Sequence, residues 1–187
     1  MNLLASDENL NLTELETAFD IEIVTKDFFN KYTELYFKLK EELDGLLKKD
    51  ALIKKDFENK EISTVDFAKK TLGQIVFLYF LQKKGWFGVP ADEEWGDGPK
   101  KFIRALFKRR AKYGKNFFND ILEPLFYEAL AQDRGERSIY PRLNNCRMPF
   151  LNGGLFEPMN GYIWETTDMD IPDELFSNNN KTKEGDG

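Results

Sequence analysis

The chain of 187 residues carries 33 acids against 27 Lys and Arg, a formal charge of −6, with 41% apolar and 14% aromatic residues. These values suit one compact globular domain or two small ones and exclude a disordered or fibrous chain. The absence of His removes Ser-His-Asp triads, Cys-His pairs and His-bearing zinc or iron sites, and the single Cys146 removes zinc fingers and internal disulfides.

No basic-then-apolar signal pattern opens the chain, and one cysteine suits a reducing setting, so a cytoplasmic location is expected. No apolar run approaches the roughly 20 residues that span a bilayer, so no membrane partner is expected. The sequons at Asn11 and Asn180 then read as chance matches.

Residues 1–20 are polar with scattered Leu and read as a peripheral arm, in which Thr13 and Glu16 offer a capping box for a short helix. From Thr25 to about Lys49, Phe28, Tyr32, Leu35, Tyr36, Leu39, Leu43 and Leu46 follow helical spacing and predict a long amphipathic helix. A shorter helix is predicted around Leu52 to Phe57. Ser63 and Asp66 then supply a capping signature for a helix through FAKKTLGQIVFLYFLQKK, closed by Lys83, Lys84 and Gly85. Its Ile75 to Leu81 stretch is apolar all round, which predicts burial on every side at the centre of the domain.

After the loop VPADEEWGDGP, Phe102, Ile103, Leu106 and Phe107 mark another helix, and Asn116 caps NFFNDILEPLFYEAL, where Pro124 is expected to bend or divide the helix. Beyond Arg134 the pattern is extended pieces and turns, and Asn160-Gly161 is a type I′ candidate for a small hairpin, weakened by Pro158. The fold class expected is mainly α: a helical domain with a buried central helix and a small irregular or β-hairpin C-terminal cap. One domain is expected over 21–176, with 177–187 a disordered tail.

RMPFLNGGLFEP, residues 147–158, poses the question of what its glycine pair does. It matches neither a dinucleotide loop nor a phosphate loop. The expectation is that Gly153 or Gly154 takes a positive φ so that Phe150, Leu151, Leu155 and Phe156 turn inward. The carboxylates of Pro172-Asp173 and Glu58-Asn59-Lys60 stand in the wrong order for a metal-dependent nuclease, and neither lies in a convincing strand. The Asn/Asp-Pro-Pro-Tyr/Phe pattern that grips a flipped adenine is absent.

From 100 to 115 the chain carries Lys100, Lys101, Arg104, Lys108, Arg109, Arg110, Lys112 and Lys115 with no acid between them. On a helix, Lys101, Arg104 and Lys108 share a face opposite the apolar residues, a geometry that presents cations to a phosphate backbone. The alternative is a solvated face balanced by nearby acids. Arg134, Arg137, Arg142 and Arg147 are candidates to extend the surface. Trp86 and Trp95 bracket an acidic loop, where closing the core outweighs stacking on an unpaired base.

The ordered series DFFNKYTELYFKL, FAKKTLGQIVFLYFLQKKGWFGVP, NFFNDILEPLFYEAL, MPFLNGGLFEP and IPDELF resembles the helical region that precedes the methyltransferase domain in type IIG restriction-modification enzymes and related adenine-specific DNA methyltransferases of phage-defence systems. The resemblance runs from about Phe19 to Phe176, with FLYFLQKKGW and PFLNGGLFEP its most specific parts. It implies a non-catalytic connector that packs on the methyltransferase domain of the same polypeptide and contributes to holding double-stranded DNA. The tail then leads toward a missing methyltransferase domain, where S-adenosylmethionine is expected. No catalytic, cofactor-binding or metal-binding residue carries over to this chain. The alternative is a protein-interaction module that docks on a methyltransferase or partner subunit without touching DNA. A free-standing carboxylate-dependent hydrolase is disfavoured by the lack of an ordered acid pair.

Overall fold

The structure, a computed structural model, describes residues 12–151 and 153–177, with side chains from Thr25 onward. Four α-helices, α1 Leu12–Lys49, α2 Ala51–Asn59, α3 Thr64–Lys84 and α4 Phe102–Lys108, precede a π-helical stretch, a two-stranded hairpin and a long irregular strap. The fold is mainly α, as the periodicity predicts. The helix expected from Thr25 starts earlier, at Leu12, so Thr13 lies inside α1 rather than capping a separate helix. The rest of the expected arm, and the tail after Ser177, lie outside the described residues.

The helix boundaries follow from local chemistry. Asp50 caps α2 by accepting from the backbone N–H groups of Leu52 (2.9 Å) and Ile53 (3.1 Å). Ser63 caps α3 by accepting from Asp66 N–H (3.0 Å), and the Thr64 hydroxyl donates to Asp44 (2.6 Å), which ties the start of α3 to α1. Gly85 ends α3 at φ 74°, and both Gly96 and Gly98 donate their N–H groups to its carbonyl at 3.0 Å. A Cβ at Gly85 would stand 1.9 Å from the Gly96 oxygen. Glycine is needed there twice over, for its dihedral and for the close approach.

Leu39 and Leu43 of α1, wholly buried, face Phe57 of α2 and Phe67, Leu72 and Leu78 of α3 in one core. The centre of that core, however, is not α3. Val76, Tyr79 and Phe80 of α3 are 40%, 51% and 48% exposed, which corrects the expectation of burial on every side. The central element is the helical stretch from Phe117, with π-helical runs over Phe118–Leu122 and Leu125–Leu130 joined through Glu123 and Pro124. From Phe117 to Tyr127 only Asn119 and Asp120 escape full burial. The expected break at Pro124 takes the form of widened turns. Glu123 N–H bonds to the carbonyl of Phe118, five residues back, while Glu123 and Pro124 keep helical dihedrals. Proline removes one donor and crowds the carbonyl four residues earlier, and the wider turn relieves both.

A glutamate stands at this centre. Glu123 is wholly buried, with Tyr162 Oη donating to its Oε1 (2.7 Å) and Asn119 Nδ2 to its Oε2 (3.1 Å). Burial pushes its carboxyl up to about 9, so it is held as the neutral acid at physiological pH. The same burial, together with Glu123, raises the Tyr162 hydroxyl.

The strap after the hairpin closes the core by threading single side chains between helices. Phe156 packs on Phe77 and Phe126, Tyr162 on Phe57, Phe67 and Tyr127, and Phe176 stacks on Phe118 with ring centres 6.2 Å apart. The hairpin is Ile139–Tyr140 (β1) against Cys146–Arg147 (β2), antiparallel, with Val89 bridged to Arg147 on the other edge. Its turn uses Asn144 (φ 62°) and Asn145 (φ 52°), both left-handed. Asn160 and Gly161 do take the left-handed dihedrals expected of them, at φ 48° and 74°, but they form a 3-10 turn over Met159–Gly161 that joins no strands. There the Asn160 side chain donates instead to the Lys60 carbonyl (3.0 Å).

The glycine pair is also corrected. Gly153 has φ 161°, extended backbone open to any residue, Gly154 has no positive φ, and a Cβ at either would meet nothing within 4 Å. What holds this segment is α3: Lys70 Nζ donates to the Gly154 carbonyl (2.9 Å) and Gln74 Nε2 to that of Leu155 (2.8 Å). Only Phe156 is fully buried, while Phe150 and Leu155 are 39% and 37% exposed.

Three outcomes follow for stability. Leu43→Ala is expected to cost about 2–5 kcal/mol in urea unfolding, because a cavity opens where α1, α2 and α3 meet. Gly153→Ala and Gly154→Ala are each expected to change stability by less than about 0.5 kcal/mol, whereas Gly85→Ala is expected to cost more than about 1 kcal/mol. Glu123, whose acid is raised in the folded state, protonates fully in both states below about pH 4.5; as pH rises toward about 9 only the unfolded chain releases the proton, so stability falls across that window. With no His to titrate there, unfolding free energy should be lower at pH 8.5 than at pH 5.5, and Glu123→Gln should remove most of the difference.

Candidate nucleic-acid interface

The basic segment is built on a short amphipathic frame. In α4, Ile103 and Leu106 are buried, Phe102 packs edge-on against Phe87 (5.1 Å) and Phe107 against Phe117 (4.9 Å). The buried Gln82 of α3 accepts from Ile103 N–H (2.8 Å), which satisfies a donor in the first turn of α4 and fixes its start against the end of α3. With that face anchored, Lys101, Lys108 and Arg109 are exposed and Arg104 is half-buried at the rim. The spacing of Lys101, Arg104 and Lys108 places them together on the outward side, as helical geometry requires.

The other four cations are dispersed. Lys100 leans back onto the acidic loop, its Nζ donating to the Gly96 carbonyl (3.0 Å). Arg110 turns inward: its guanidinium pairs with Asp173, donates to the Phe107 carbonyl (3.0 Å) and lies 4.3 Å over the Phe107 ring. Asp173 also accepts from Phe117 N–H (2.7 Å), so Arg110 helps fasten the C-terminal strap to the start of the central helix. Lys112 reaches Asn144 in the hairpin turn (3.2 Å). Lys115 is exposed, while its backbone N–H donates to Asp120 (2.7 Å). Of the eight candidates, the structure gathers Lys101, Arg104, Lys108 and Arg109 on α4 and its two caps, and gives Lys100, Arg110 and Lys112 partners within the chain.

The arginines further on serve the chain itself. Arg134 donates to the carbonyls of Glu128, Ala129 and Gln132 at the end of the central helix and to that of Met148 (3.1 Å). Arg142 approaches Glu128 at 3.5 Å, and Arg147 donates to the Glu93 carbonyl (2.7 Å) with its guanidinium 4.4 Å over the Trp95 ring. Arg137 is exposed. Asp173 and Glu58, weighed as nuclease acids, are instead held by Arg110 and paired with Lys54 (3.8 Å). Cys146 is buried and its Sγ–H donates to the Leu143 carbonyl, and burial pushes the thiol up to about 11, far from the range of a reactive thiolate.

The residues that periodicity missed are on α3. Val76, Tyr79 and Phe80 form an exposed stripe beside α4, and Trp86, expected to close the core, is 45% exposed because the neighbouring Phe87 fills that place. A signal was present. Lys69, Val76, Phe80 and Lys83 follow one another by seven, four and three residues, which puts two lysines on the same helix face as the apolar residues.

No helix among the described residues is long and apolar enough to cross a membrane, and no group of three or more acidic or Cys side chains among them is placed to hold a metal ion. No protein-family model matches the chain, and no solved structure matches it. The chain is 26% identical over 157 aligned positions to a protein of Methanocaldococcus jannaschii that carries the name of a putative type II restriction enzyme and methyltransferase. The match takes in 74% of this chain and 12% of that relative, so the chain spans a small part of the length of the curated protein it resembles.

Proposed function

We propose that this chain is a non-catalytic helical connector in a restriction-modification or adenine-N6 DNA methyltransferase polypeptide, and that it grips the duplex backbone through α4. The similarity to a restriction enzyme and methyltransferase supports the setting. The observation that carries the DNA contact is the acid-free basic run of residues 100–115, whose apolar side is locked to the core while Lys101, Lys108 and Arg109 stay exposed. A cation held on a rigid frame loses less freedom on meeting a phosphate than one on a loop. Such contacts position DNA without reading sequence. In this reading S-adenosylmethionine belongs to the methyltransferase portion of such a polypeptide, and no residue of this chain is assigned to it.

A second reading, docking on a methyltransferase portion or partner subunit without DNA contact, draws on the strap at 150–155. Phe150 and Leu155 are partly exposed there, and both glycines face open space.

Duplex binding measured against salt separates the two. Because each neutralised phosphate releases counterions, Lys108→Glu with Arg109→Glu should lower affinity for a mixed-sequence duplex by about ten-fold or more and flatten the log–log salt slope by about two. Arg110 is left intact so that the strap keeps its anchor. Unchanged affinity and slope would sink the DNA-gripping reading and leave the docking one.

A further inference from the structure

We propose that the exposed face of α3 beside α4 is a stacking surface for the unpaired bases of a single nucleic-acid strand. The inference deepens the DNA-gripping reading by giving the neighbouring face its own ligand, and it stands on separate residues.

The first support is shape and ring chemistry. Tyr79 and Phe80 near the C-terminal end of α3, and Trp86 just past its Gly85 cap, are each close to half exposed. Every base has a flat π-face, so a row of half-exposed rings on a rigid helix accepts successive bases without regard to sequence. Side chains on a helix cost less ordering than side chains on a loop.

The second support is charge. Between Phe67 and Gly85 the sequence holds Lys69, Lys70, Lys83 and Lys84 and no acid, in a chain that carries 33 acids overall. The basic run at 100–115 is likewise acid-free, and the two runs are packed together through Gln82 and Ile103. Lys84 Nζ lies 5.8 Å from the centre of the Phe80 ring, and the charge of Arg104 acts on Tyr79. Phe80 and Tyr79 thus each have a cation nearby, while Trp86 follows Gly85, to which the acidic loop is tied through Gly96 and Gly98. Glu157 acts on Lys70, whose Nζ turns to the strap and donates to the Gly154 carbonyl, and Asp66 at the start of α3 accepts from the Ser63 hydroxyl (2.7 Å). Exposed aromatics with cations nearby fit a polyanion whose bases are unstacked better than a neutral apolar partner, which leaves the lysines idle. A closed duplex hides its base faces and reaches only the cations.

The two halves of the site are therefore separable by ligand. The full 187-residue chain is titrated into a labelled oligothymidylate of about 15 nucleotides and a duplex of equal length, with fluorescence anisotropy as the readout. The variants Tyr79→Leu and Phe80→Leu keep apolar bulk but remove the flat ring, and circular dichroism with a thermal melt checks that these half-exposed positions leave the fold intact. The expected result is single-strand binding that weakens by about five-fold or more for each variant, while duplex affinity is unchanged. Absence of single-strand binding, or affinity for the single strand that the leucine variants leave unchanged, overturns the proposal. So does an equal loss for duplex and single strand. If Lys108→Glu with Arg109→Glu leaves duplex binding untouched while the leucine variants still weaken the single strand, the duplex-gripping reading fails and the stacking surface stands.

Discussion

The structure depends on one arrangement at its centre, a helical stretch that buries a proline and a carboxylic acid side by side. Pro124 withholds a backbone donor and Glu123 brings a group that is costly to bury when charged. Both problems are answered locally. The π-type turns re-space the backbone hydrogen bonds around Pro124, and Tyr162 and Asn119 bond the carboxyl oxygens of a neutral Glu123. Tyr162 comes from the strap, so the polar bond at the centre also decides where the C-terminal segment lies. From that point the strap reaches Phe57 and Phe67 on one side and Trp164 meets Tyr127 on the other.

The remaining architecture can be understood as the consequence of surrounding that central stretch. The core rings of α2, α3, the central helix and the strap meet one another mostly at edge or tilted angles, with Phe118 and Phe176 stacked. Such a core is specified by ring shape rather than by layers of aliphatic side chains. With the central helix occupying the interior, α3 is pushed outward and its far side faces solvent. The fold thereby exposes aromatic rings next to the acid-free basic run of residues 100–115, and the stacking proposal rests on this juxtaposition.

The cations themselves divide by what lies behind them. Arg110 and Arg134 sit over carbonyls and rings at helix ends, where a planar guanidinium satisfies several acceptors at once, and burial lowers the basicity of Arg134. Lys101, Lys108 and Arg109 stand on a helix whose inward side is filled by Ile103 and Leu106, so they point to water. Charge density along the sequence did not separate these two groups. Only the tertiary packing did.

Local rules settled much of this protein from sequence: the mainly α class, the caps at Ser63 and Gly85, the amphipathic α1 and the outward side of α4 all depend on residues within a turn or two of one another. Composition likewise excludes histidine chemistry, an internal disulfide and a zinc finger in this chain, since the side chains for them are absent. It did not reveal which apolar helix would be central, because hydrophobicity ranks NFFNDILEPLFYEAL below the uninterrupted Ile75–Leu81 run, and only the distant Tyr162 makes the acid of the former tolerable inside. Nor did it reveal that this segment is held by Lys70 through the Gly154 carbonyl and by Gln74 through that of Leu155 instead of by left-handed glycine geometry. Burial, the pairing of Arg110 with Asp173, and the exposure of Tyr79 and Phe80 are sums over contacts between residues far apart in the chain, and those contacts exist only once the tertiary structure has formed.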